Sequence, residues 1–145
     1  MFNTPGISKK LSEGDTIHKC IVLPWELHRT ASEITFLEDI RMKDLVSIAL
    51  ESEIELIEGQ LDKTREETGL SPISFGLIPG ESWVHTSVFL SKEIVAELRR
   101  ISHYSKIAEK VIIADGIVRF IIKEYHDQYP DIVCRIEAYM SRGEA

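Results

Sequence analysis

Slid along itself by 67 residues, this chain of 145 residues returns to its own register. His18 falls on His85, Leu23 on Leu90, Glu26 on Glu93, Ile34 on Ile101, Ile40 on Ile107, Lys43 on Lys110 and Ile54 on Ile121, with no gap. The apolar positions agree further: Ile21 with Val88, Leu27 with Ile94, Ala31 with Leu98, Leu45 with Ile112, Val46 with Ile113, and Leu50 with Ile117. Ala49 falls on Gly116, so a small residue stands at that position in both copies. A repeat of this kind constrains the fold strongly, because each copy must be one supersecondary unit that shares its core with the other. About forty residues cannot bury enough apolar surface alone.

Each copy reads as strand, helix, turn, helix. The first strand is expected at His18–Leu23, where Cys-Ile-Val-Leu is β-prone and Pro24 stops it. From Pro24 the period changes, and Leu27, Ala31 and Ile34 fall on one helical face until Thr35–Asp39 interrupts it. A second helix is expected from Lys43 to Leu61. In the other copy a strand over Trp83–Leu90 leads into a helix capped by Ser91, a break at His103–Ser105, and a longer helix to Tyr125. Beyond Pro130, the positions Ile132, Val133, Ile136 and Tyr139 predict a short amphipathic helix over Asp131–Ser141. The division is an arm over 1–17, a first repeat over 18–61, a linker over 62–84, a second repeat over 85–126, and a C-terminal helix and tail over 127–145. The stretch GLSPISFGLIPGES, with three Gly and two Pro, marks the linker.

Ile21-Val22-Leu23-Pro24-Trp25-Glu26-Leu27 and Val88-Phe89-Leu90-Ser91-Lys92-Glu93-Ile94 resemble the strand and first-helix opening of the ribbon-helix-helix DNA-binding family. Ile112-Ile113, Gly116-Ile117 and Phe120-Ile121, mirrored by Leu45-Val46, Ala49-Leu50 and Ile54, are similar to that family's second helix. The resemblance implies a mainly α fold with a small two-stranded antiparallel β-ribbon. Family members dimerise through that ribbon; here both strands lie in one chain, which implies a tandem pseudo-dimer plus a C-terminal helix. A linker from Asp62 to Pro79 spans at most roughly 60 Å, enough to cross such a domain.

A two-stranded ribbon fits the DNA major groove and meets base edges with alternate side chains. With Val88 and Leu90 inward, His85, Ser87 and Phe89 point outward, as do His18, Cys20 and Val22 in the first copy. Ser and His can contact bases or phosphates, and Phe and Val can touch a thymine methyl group, but the set holds no Arg, Asn or Gln. Lys19, Lys92, Arg99, Arg100, Ser105, Lys106 and Lys110 are the candidate phosphate contacts, with Lys9 and Lys10 of the arm as auxiliaries.

Charge separates the copies. The chain carries 17 basic and 24 acidic residues, a formal net charge of -7. Residues 18–61 hold four Lys/Arg and nine Asp/Glu, whereas residues 85–126 hold seven and five, so the second copy is expected to dominate phosphate contact. In the first copy Glu38, Asp39 and Asp44 oppose a phosphate, as does Glu109 in the second. Glu51, Glu53, Glu55 and Glu58 read as a solvated carboxylate face. Trp25 and Trp83 are expected to pack the ribbon edges.

No Gly-rich phosphate loop, nucleophile elbow or paired metal-ligand spacing is present, and the expectation is a non-enzyme with no cofactor and no metal. Isolated Cys20 and Cys134, the absence of a signal-like apolar N-terminus and the absence of a spanning apolar run predict a reduced, cytoplasmic setting without membrane contact. Two functions are compatible with these features. One is a transcriptional regulator bound to double-stranded DNA, with two chains assembling through Ile132, Ile136 and Tyr139. The other is a protein-interaction module, antitoxin-like or a co-regulator, that keeps the fold without DNA; the acidic total and the apolar outward pair Val22 and Phe89 motivate it.

Overall fold

The computed structural model describes residues 16–61 and 82–142. The arm with Lys9 and Lys10, and the linker up to residue 81, lie outside the described residues. Strand β1 (Thr16–Pro24) leads directly into α1 (Trp25–Glu38), followed by α2 (Met42–Leu61). Strand β2 (Trp83–Ser91), α3 (Lys92–Ser105) and α4 (Glu109–Tyr125) repeat that order, and α5 (Pro130–Arg142) closes the chain. The described residues are thus mainly helical with a small two-stranded antiparallel sheet, as the sequence predicts. The first strand runs longer than expected, taking in Thr16 and Ile17, and the second continues to Ser91.

The bounds follow the 67-residue offset closely. β1 begins at 16 and β2 at 83; α1 spans 25–38 and α3 spans 92–105; α2 begins at 42 and α4 at 109. Both first helices also end in the same way. Asp39 (φ 54°) and Lys106 (φ 64°) each take the left-handed conformation that terminates a helix. The first helices therefore continue through Thr35–Glu38 and His103–Ser105, where the sequence suggests breaks. A C-terminal turn at a residue other than Gly leaves no local signal of where the helix stops.

The starts differ in chemistry. Ser91 Oγ accepts a hydrogen bond from the Ile94 N–H at 3.0 Å, the expected cap. Its counterpart Pro24 caps α1 with no side-chain hydrogen bond. There the Trp25 N–H reaches across to the Ser82 carbonyl at 2.9 Å.

Isolated two-stranded ribbons are marginal in water. This one is held from beneath: Ile21, Leu23, Val88 and Leu90 are buried on the face toward the helices. Leu45, Leu50, Ile112, Ile117 and Ile121 of the long helices and Leu27, Ile34, Leu98 and Ile101 of the short ones complete one core. Each such side chain contributes about 1.5–3 kcal/mol when fully removed from water.

Helices α2 and α4 cross at Gly116, where an added Cβ would lie 3.0 Å from Glu53 Cβ and 3.3 Å from the Ala49 carbonyl oxygen. The small residue is thus set by close helix approach. Among the described residues no helix is long and apolar enough to cross a membrane.

Helix α5 corrects one expectation. Ile132, Ile136 and Tyr139 are buried within the chain's own core, with α5 packed on α1 and α4. Arg135 pairs with Glu33 of α1, and Tyr129 donates to Glu38 at 2.7 Å. An amphipathic face that finds its groove within the chain cannot also serve a second chain, so these residues are not a homodimer surface.

Candidate nucleic-acid interface

Strand pairing decides which side chains share the outer face of the ribbon. The register places His18 opposite Phe89, Cys20 opposite Ser87 and Val22 opposite His85. All six residues singled out from the sequence thus lie on one face as three facing pairs. The central pair, Cys20 and Ser87, joins positions that are themselves 67 residues apart. The alternate pairs, Lys19 with Val88 and Ile21 with Thr86, turn toward the helices.

The outer face is open. His18, Cys20, His85 and Ser87 are exposed, Val22 is partly so, and Phe89 keeps 51% of its surface in solvent. The His18 and Phe89 rings meet edge to face with centroids 5.2 Å apart, which stiffens one end of the face. Cys20 Sγ lies 3.8 Å from His85 Nδ1. Among the described residues no group of three or more His, Cys, Asp or Glu is arranged to hold a metal ion.

The candidate phosphate contacts divide. Lys110 stands at the start of α4 with its Nζ 4.5 Å from the Trp83 ring centroid, a cation–π contact beside the outer face. Lys92 and Arg99 are exposed on α3. Lys106 is exposed at the α3 terminus, and Ser105 Oγ beside it accepts from the Ile107 N–H at 3.2 Å. Two others are occupied. Lys19 pairs with Glu109 at 3.2 Å, and Arg100 with Glu58 and Glu97, both at 2.6 Å. A phosphate at Arg100 would have to displace two carboxylates already hydrogen-bonded to it.

Helix N-termini favour anions through their free N–H groups and dipole. At α2 the Asp44 carboxylate turns back to accept from the Arg41 N–H at 3.4 Å, so that terminus carries its own anion. Val111 stands in place of Asp44 in the second half, and Ala108 caps α4 with no side-chain hydrogen bond. Glu109 there is drawn to Lys19. The start of α4 is therefore the more open of the two, on the side where Lys110 and Trp83 lie.

One acidic residue departs from the expectation of a solvated face. Glu53 is buried, and its oxygens accept from Arg119 Nε at 2.9 and 3.2 Å. Burial pushes its carboxyl above the ordinary range, opposed by the Arg119 hydrogen bond. A signal for this exists in the sequence: Glu53 lies three residues after Leu50 and four before Ile57, on the buried stripe of α2. Trp25, expected to pack a ribbon edge, is 48% exposed beneath the Arg29 guanidinium. The contacts Trp83–Lys110 and Glu53–Arg119 join residues far apart in sequence and carry no local motif.

Comparison with family models, with curated protein sequences and with solved structures finds no match to this chain.

Proposed function

We propose that the chain is a single-chain ribbon-helix-helix pseudo-dimer that binds double-stranded DNA through the outer face of its ribbon, as a cytoplasmic transcriptional regulator. The observation that carries this reading is the outer face itself: three facing pairs, His18–Phe89, Cys20–Ser87 and Val22–His85, uncovered by any described element. A two-stranded ribbon of this width enters a major groove. Lys110, Lys92 and the open start of α4 supply flanking phosphate contacts, so the second half does most of the electrostatic work. Because the two strands differ in sequence, the expected target is not palindromic.

Fluorescence polarisation over a randomised duplex pool at low salt tests this. Binding is expected to weaken steeply as salt rises, and Lys110→Ala is expected to weaken it uniformly across sequences with a shallower salt dependence. Phe89→Asp is expected to abolish it. No duplex binding at low salt by a folded chain sinks the reading.

A second reading has its own observation. Phe89 and Val22 leave apolar surface on the open face, and carboxylates already occupy Lys19 and Arg100. These features suit a protein-interaction module that keeps the fold without DNA. Capture of a defined protein partner that Phe89→Asp releases, with duplex binding absent throughout, favours this alternative.

A further inference from the structure

We propose that the Glu53–Arg119 pair at the α2–α4 crossing, together with Gly116 and the Arg135–Glu33 contact, forms a pairing code that makes each half of the chain associate with the other half and reject a second copy of itself. The inference rests on the pseudo-dimer reading and adds a partner specificity to it. The 67-residue offset makes the alternatives explicit, because it says which residue would stand at each position if like paired with like.

Consider two first halves together. Ser52 would replace Arg119, and Glu53 would lose its guanidinium while remaining buried. Ala49 would replace Gly116, bringing a Cβ to the place where one lies only 3.0 Å from Glu53 Cβ. Helix α5 belongs to the second half, so α1 would lose the helix packed on it and Glu33 would lose Arg135. An uncompensated buried carboxylate and a steric collision both oppose this pairing.

Two second halves fail differently. Phe120 would replace Glu53, so Arg119 would lose the carboxylate that now accepts from it. Arg100 would replace Glu33, so Arg135 of α5 would meet a cation where it now meets a carboxylate. Only the mixed pairing satisfies Glu53, Arg119, Glu33 and Arg135 together. Buried polar groups used in this way choose a partner by penalising the wrong ones.

The consequence is directional. A chain whose halves match each other presents two unlike strands on its outer face, and a neighbouring chain does not scramble them. Without such a code, two tethered units of the same fold could exchange like for like.

The ribbon provides its own reporter. Cys20 faces position 87 in the mixed pairing and Cys20 of another chain when first halves pair; position 87 faces itself when second halves pair. The full chain carrying Ser87→Cys and Cys134→Ser, with a protease site introduced between residues 62 and 81, is nicked after folding, unfolded in denaturant, refolded and oxidised. Both pieces stay present, and nicking removes the advantage of the tether. Mass spectrometry then counts the three disulfide-linked species. The mixed species is expected to exceed each like-with-like species by more than about tenfold. Arg119→Glu is expected to cut that excess severalfold, and the charge swap Glu53→Arg with Arg119→Glu to restore it. Arg135→Ala is expected to lower it less.

Random mixing of the nicked parent overturns the proposal, as does an unchanged excess in Arg119→Glu. If Arg119→Glu does not refold, the neutral pair Glu53→Gln with Arg119→Gln takes its place, and an undiminished excess there is equally fatal. Failure of the intact Ser87→Cys chain to form a disulfide between Cys20 and position 87 overturns the underlying ribbon. Its formation in the intact chain with random pairing after nicking overturns the code alone.

Discussion

The two halves share element bounds almost residue for residue, yet they differ wherever chemistry rather than shape is at stake. The first ribbon strand ends on Pro24 and the second on a hydrogen-bonding Ser91. The start of α2 holds Asp44, whereas the start of α4 has Val111 there and Lys110 against Trp83. The second half alone carries α5, which covers α1 of the first. Apolar positions at equal places in the two halves are thus held by the shared core, while the polar positions differ. Here they specialise toward one open, less acidic end and one internally neutralised end.

The strongest test of this contrast lies at Ala31 and Leu98, equivalent positions that are both fully buried and differ in size. Leu98→Ala is expected to lose about 2–5 kcal/mol in urea unfolding, the transfer term plus an unfilled cavity. Ala31→Leu is expected to cost about 1–3 kcal/mol by overpacking. Equal and small effects at both sites would mean that the halves are not packed to different volumes.

Next comes the crossing. Gly116→Ala is expected to destabilise by about 1–3 kcal/mol, since its Cβ would press on Glu53 and the Ala49 carbonyl. Ala49→Gly removes a methyl group and adds backbone entropy, at a cost of about 0.5–1 kcal/mol. A neutral Gly116→Ala would show that the helices can separate without loss.

The helix ends should respond in the opposite direction. Lys106→Gly is expected to stabilise by about 0.5–1 kcal/mol, because Gly takes a positive φ without the Cβ penalty. Asp39→Gly should gain less, Asp tolerating that conformation better than Lys. Thermal unfolding of both variants measures the difference.

The smallest effect is one of pH. Burial holds the Glu53 carboxyl above its ordinary 4.5. A folded value above the unfolded one gives a contribution that is full below that ordinary value and is lost as pH rises through the folded value. Glu53→Gln removes that loss, so its stability should decline less than the parent's from pH 4.5 upward. Phe120, the equivalent residue, contributes no such slope. Parallel pH curves for parent and variant would contradict the assignment.

Much of the fold is legible in the chain's own pattern. The alternation around Ile21, Leu23, Val88 and Leu90 is enough to say which side chains face out, because a strand has period two. Ser91 announces its cap, and the repeat announces the element order. Glu53 is legible only in part: its place on the stripe is visible, but no sequence pattern says that Arg119 stands across from it. Ile132, Ile136 and Tyr139 show an amphipathic helix without showing whose groove it fills. Lys19 and Arg100 read as available cations until Glu109, Glu58 and Glu97 are brought beside them.

Period, propensity and composition suffice for the order of the elements, the inward and outward faces of each strand and the acidic imbalance between halves. It takes the packed chain to bring Cys20 opposite Ser87, to fold α5 back onto α1 and α4, and to give the carboxylate at the crossing a guanidinium to meet. Glu53 and Arg119 stand 66 positions apart, and Glu33 of α1 and Arg135 of α5 stand 102 apart. Periodicity names the face a side chain shows, and only packing of the whole chain supplies what that face meets.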